Sequence, residues 1–123
     1  MASVDDMIAV EEHWPVAMQH RDRGWLVAHT TEEMVCIQPD RVLDRPSYLD
    51  HRVKENDAII RGRNTIVRAE AFGDVGYTVN RAHFLVEDAV GNRREVRILG
   101  SAVYVWQDGT WKVAVMHITE VMR

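Results

Sequence analysis

The chain has 123 residues, of which 46% are apolar and 28% charged, and its formal net charge is −4. This is the composition of an ordinary folded chain and excludes a disordered one. The acidic balance excludes a general nucleic-acid binder, which needs a basic face to neutralise phosphates, and no apolar run approaches the ~20 residues of a membrane span.

Residues 1–123 are expected to form one domain. The start, Met1-Ala2-Ser3-Val4-Asp5-Asp6, is acidic and lacks the basic start and apolar core of a signal peptide. Cys36 is the single cysteine, so no internal disulfide or cysteine-based metal framework can form, and a cytoplasmic location is expected. Its setting, Met34-Val35-Cys36-Ile37, reads as a buried thiol.

Ser3 or Asp5 caps a first helix running to about His20. Its apolar positions Met7, Ile8, Val10, Trp14, Ala17 and Met18 recur at helical spacing. Pro15 predicts a kink or a fresh helix start near His13 and Trp14. Asp22 then caps a short second helix, Arg23 to His29. Thr30 to Glu33 breaks the pattern, Met34 to Gln38 reads as a short strand, and Val42-Leu43 as another after the Pro39-Asp40 turn. A third helix opens at Asp44-Arg45-Pro46, runs through Tyr48 and Leu49, and ends near Asn56.

The rest reads as long strands: Ile59 to Phe72, Val75 to Glu87, Arg94 to Gln107 and Thr110 to Val121. Gly73-Asp74, Gly91-Asn92 and Asp108-Gly109 separate them as tight turns. Strands of this length must curve. The fold class is therefore α+β, with three N-terminal helices packed in the concave side of a strongly curved, mainly antiparallel sheet.

Several segments carry a family resemblance. They are Trp14 and Ala17 in the first helix, Arg21-Asp22 before the second, Gly73-Asp74-Val75-Gly76-Tyr77 at the middle hairpin, and the ending Val103 to Val113 followed by His117-Ile118-Thr119. Together they resemble the nuclear transport factor two-like superfamily, whose cystatin-like cone is shared by ketosteroid isomerases, scytalone dehydratases, limonene epoxide hydrolases and polyketide cyclase-like proteins. The ending is most similar to the small branch related to the association domain of calcium/calmodulin-dependent kinases. The resemblance implies the fold over almost the whole chain, but the fold hosts many activities. Ketosteroid isomerases use an aspartate base and a tyrosine donor, and the sequence shows no counterpart of that pair.

Counting outward from two-residue turns gives a register. It sets Trp106 opposite Trp111, Gly100 opposite both His117 and His83, Arg81 opposite Ala102, Asn64 opposite His83, and Glu70 opposite Tyr77. The face so defined mixes histidines, an arginine and aromatics, which is how pockets are lined. The other face, with Thr78, Asn80, Ala82, Val103 and Met116, is flatter and mostly apolar. It is expected to pair two copies in a homodimer. The competing assignment puts that face under the helices, since a single bulge flips a strand.

This register predicts a cone that binds a small, partly apolar molecule. His117 and His83 would move protons, as imidazoles do near neutral pH, and Arg81 would stabilise negative charge. Tyr104, Asn64, Tyr77, Trp14 and Thr119 would line the pocket. Cofactor-free acid–base chemistry is expected: isomerisation, dehydration, cyclisation or epoxide hydrolysis. The alternative is a non-catalytic ligand-binding or oligomerisation module. Two histidines without a third ligand make a poor metal site, so no metal is expected. The helical histidines His13, His20, His29 and His51 are explained by solvent exposure or capping.

Overall fold

The computed structural model describes residues 2–54 and 57–121, with backbone alone for 51–54. Helix α1 spans Val4–Gln19, and Ser3 Oγ caps it by accepting from the Asp6 amide at 3.2 Å. Helix α2 spans Arg23–Ala28, capped by Asp22 Oδ1 on the Trp25 amide at 3.1 Å. Strands β1 (Thr30–Gln38) and β2 (Arg41–Asp44) follow. Helix α3 spans Arg45–Lys54, with Asp44 Oδ1 accepting from the Ser47 amide. The end expected at Asn56, and the side chain of His51, lie outside the described residues. Among the described residues no helix is long and apolar enough to cross a membrane.

The long strands are β3 (Ala58–Phe72), β4 (Val75–Glu87), β5 (Arg93–Gln107) and β6 (Thr110–Glu120). Their ends match the sequence reading to within a residue, because the turn glycines have no substitute. Gly73, Gly91 and Gly109 all hold positive φ, which only glycine adopts without strain. The sheet is larger than expected, in the order β2-β1-β6-β5-β4-β3. Strand β1 starts at Thr30, inside the segment read as a break, and pairs in parallel with β6, whereas every other neighbour is antiparallel.

Helix α1 lies along the concave side and buries Met7, Glu11, Trp14, Pro15 and Ala17. It does not restart at Pro15; the helix is continuous through it. The core joins Met7 and Trp14 to Met34, Tyr48, Tyr104 and Trp111. Trp14 Nε1 donates to the Tyr48 hydroxyl at 3.1 Å, and Trp111 Nε1 donates to the Ser3 carbonyl at 2.9 Å. Both bonds satisfy indole N–H groups that burial would otherwise strand.

Close approach of α1 to the sheet explains a second kind of glycine. A Cβ on Gly76 would sit 2.6 Å from Met7 Sδ and 2.8 Å from the Glu70 carbonyl oxygen. Gly76→Ala should therefore cost about 1–3 kcal/mol. Gly24→Ala in α2, whose Cβ would meet nothing nearer than 3.7 Å, should be neutral or stabilising by up to about 1 kcal/mol. Urea midpoints of the two variants check this; matching midpoints would refute the packing argument.

Candidate functional site

The site begins with the missing amide of Pro15. A proline inside a helix leaves the carbonyl four residues earlier without its partner, and here that carbonyl belongs to Glu11. Asn64, on β3, replaces the lost bond by donating Nδ2 to the Glu11 carbonyl at 2.8 Å. The same amide nitrogen reaches Glu11 Oε2 at 3.1 Å. Glu11 Oε1 accepts from Thr78 Oγ1 on β4 at 2.6 Å and from the Tyr104 hydroxyl on β5 at 3.1 Å. One carboxyl group thus ties α1 to adjacent strands.

Glu11 is only 5% exposed. Burial pushes its carboxyl above the ordinary value of 4.5, because leaving water penalises the charged form, and the bonds from Thr78 and Tyr104 offset part of that rise. Tyr104 is pushed well above 10 by burial and by Glu11 beside it. Its hydroxyl therefore keeps its proton and serves as a donor.

Beside this cluster is a chamber of about 50 Å³, lined by Glu11, Tyr48, Asn64, Asn80 and Gly100. It has room for a few waters at ~10–15 Å³ each, or for one functional group of a ligand. An outer basin of about 330 Å³ adjoins it, and Met18, Phe84, Ile98 and Ile118 belong to the walls of both. That volume enters the range of small-molecule sites, roughly 300–1,000 Å³. Asp40, Asp57, Arg94 and Glu120 stand at the basin's polar edge, where Arg94 and Glu120 pair at 3.6 Å.

The structure distributes the residues expected from sequence between the two faces. Trp14, Asn64 and Tyr104 lie inside the cone. His83, His117, Arg81, Tyr77 and Thr119 lie on strand positions facing outward. His117 and Arg81 are exposed. His83 Nε2 is 3.5 Å from Glu95 Oε1, without the alignment of a hydrogen bond. Tyr77 donates to Glu70, which also pairs with Arg68.

Three departures from the assumed register cause this redistribution. The β4–β5 connection has five residues, Asp88 to Asn92, wrapped around the Asp88 carboxylate, which accepts from the Val90 and Asn92 amides. Gly100 therefore faces Asn80, and His83 faces Arg97. In the β5–β6 hairpin Trp106 does face Trp111, but the pairing shifts between Val103 and Tyr104, so Ser101 rather than Gly100 meets His117. In β3 a shift between Ile66 and Arg68 sets Asn64 opposite Ala82. The face expected to pair with a second copy is, along β4, the one under α1: Thr78, Asn80, Ala82, Phe84 and Val86 are buried there.

Sequence reading missed Glu11. The signal was present: Met7, Glu11, Trp14 and Met18 share one helix face, so a charged residue sits in the middle of an apolar stripe.

No family model matches the chain, and no curated protein matches its sequence. Solved structures do. An NTF2-like protein from Cytophaga hutchinsonii superimposes with a TM-score of 0.85 at 16% identity, over 98% of this chain and 100% of that one. The chain has the nuclear transport factor two-like fold. A ketosteroid isomerase-like protein from Erwinia carotovora atroseptica gives 0.83 at 12% identity, over 98% and 97% of the two chains. A candidate calcium/calmodulin-dependent kinase II association domain from Exiguobacterium sibiricum gives 0.81 at 15% identity, over 100% and 98%. At these identities the likeness speaks for the fold and not for an activity.

The Glu11 carboxyl should titrate above 4.5 when followed by carbon NMR, and Thr78→Val or Tyr104→Phe should move it higher still by removing an opposing bond. The sign for stability follows. The folded state holds the proton more tightly, so stability is lost as pH rises from 4.5 through the raised value. The wild-type urea midpoint should fall relative to that of Glu11→Gln over that window; a constant difference would contradict the assignment.

Proposed function

We propose that this protein binds a small, partly apolar molecule in the cone and that Glu11 supplies acid–base chemistry to it. One observation carries the reading: a buried carboxyl with a raised proton affinity borders a cavity whose remaining wall is largely apolar. A carboxyl tuned upward by burial can hold or release a proton nearer neutral pH than an exposed one. The reaction classes that fit are cofactor-free isomerisation, dehydration, cyclisation or epoxide hydrolysis. The ketosteroid isomerase-like neighbour supports the fold's capacity for such chemistry and no more. His117 also borders the chamber, but its side chain and that of Arg81 are exposed, and this favours Glu11 over the histidines as the proton-transfer group.

A second reading, a non-catalytic binding module, has its own support. The Glu11 carboxyl accepts from Asn64, Thr78 and Tyr104 on three strands, as a structural tether would. Small alicyclic ketones separate the two. On binding they should shift the resonances of Met18, Ile98 and Ile118 and leave Val75 and Val103 unmoved; no shift at millimolar concentration sinks the binding reading. Deuterium exchange next to the ketone carbonyl should be faster with wild type than with Glu11→Gln. Equal rates would leave the module reading.

We also infer a cytoplasmic homodimer through the outer face. The cross-strand row Tyr77, Val103, Val115 and Val35 is apolar over adjacent strands, and Val75, Leu99 and Val103 are 48%, 47% and 40% exposed. Two twisted sheets pack face to face through such surfaces. Light scattering should give twice the 14.2 kDa chain mass, and Val103→Glu should halve it. A monomeric wild type at micromolar concentration rejects the dimer.

A further inference from the structure

One polar side chain in the cone has no protein partner. Asn80 is 7% exposed, and its amide takes part in no hydrogen bond among the described residues. Of its polar neighbours, Asn64 and Thr78 donate to Glu11, and Tyr48 accepts from Trp14. Asn80 lines the chamber, so its amide is free to bond a group placed there.

The opposite strand is shaped around this amide. Gly100 is the β5 partner of Asn80, and a Cβ there would come within 2.6 Å of Asn80 Oδ1. The empty side of Gly100 is the space the amide occupies at the chamber wall. Gly100 has no positive φ, so backbone conformation does not call for glycine there.

We propose that Asn80 is the recognition group for the polar end of the ligand, and that this end is an uncharged carbonyl (ketone, lactam or amide) on an apolar body. This rests on the cone being the binding site. A carboxamide donates and accepts at adjacent atoms, so it matches a carbonyl oxygen and any N–H beside it. A chamber of about 50 Å³ admits one such group, while Met18, Phe84, Ile98 and Ile118 carry the apolar surface outward. An anionic head is disfavoured, since it would share a poorly hydrated space with the Glu11 carboxyl. Thr78 and Asn80 lie on the same face of β4, two residues apart, or roughly 6–7 Å. Glu11, bonded to Thr78, and Asn80 therefore border the same chamber within reach of one small ligand.

The test compares 1-tetralone with tetralin, which has the same rings without the carbonyl. Wild type should bind the ketone about tenfold more tightly, the worth of one well-made buried hydrogen bond. Asn80→Leu, of similar volume, should lose that preference and show a higher thermal midpoint without ligand, because no hydrogen bond among the described residues is lost and apolar surface is gained; a structural, hydrogen-bonded asparagine would lower it. Gly100→Ala, which crowds the amide oxygen, should also lose the preference, and it carries the test if Asn80→Leu does not fold. Equal binding of both compounds by wild type, or a preference that survives in the variants, overturns the role of Asn80 and leaves cone binding standing. No binding of either compound up to its solubility overturns both.

Discussion

The position of α1 over the sheet depends on one helical carbonyl that cannot be satisfied from within the helix. Pro15 removes the amide that would have reached Glu11, and the Asn64 side chain supplies the replacement from β3. That bond fixes the height and rotation of the helix at the point where Glu11 projects into the cone. The carboxyl then collects its remaining donors from β4 and β5. A helix break that ordinarily costs stability is here answered by a cross-element bond, and the residue it frees is the one that borders the cavity. Structure and candidate chemistry meet in the same side chain, so each limits what the other can tolerate.

The sheet sets the second constraint. A strand can present alternate residues to one face only while its pairing stays in phase, and these strands change phase. Between Val103 and Tyr104 the β5–β6 pairing slips by one residue. On one side of the slip Trp111 and Val113 face the core; on the other, Met116 does. The bulge keeps large apolar side chains inward while the sheet turns, and it turns His117 away from the cone.

Element boundaries were legible in the sequence because they depend on local chemistry. Caps at Ser3 and Asp22 and glycine turns at Gly73 and Gly109 act over a few residues and leave direct traces. Faces were not legible, because they depend on parity, and one extra residue reverses it. The Asp88 loop contains the tight-turn pair Gly91-Asn92, yet its geometry is set by a carboxylate three residues upstream of that glycine. The first half of β1 leaves little trace in the sequence, because Glu32 and Glu33 are exposed and look unlike a sheet interior. Asn64 reached the cone for a reason unrelated to the histidines expected beside it. Asn80 was visible as a residue of the flatter face, but its isolation depends on Gly100 opposite it, a long-range fact.

Synthesis order gives the bond set of α1 another meaning. The partners of Glu11 lie 53, 67 and 93 residues downstream, and the Trp111 indole that holds the Ser3 carbonyl lies 108 downstream. Helix α1 is therefore synthesised before each of these partners and completed only after them. Until the final hairpin emerges, its apolar stripe and its carboxyl remain in water. The middle hairpins can zip up by local contacts, but docking of the helix must wait for β5 and β6, and such long-range closure slows folding. The buried acid records that wait: it reaches its shielded setting only when the cone closes.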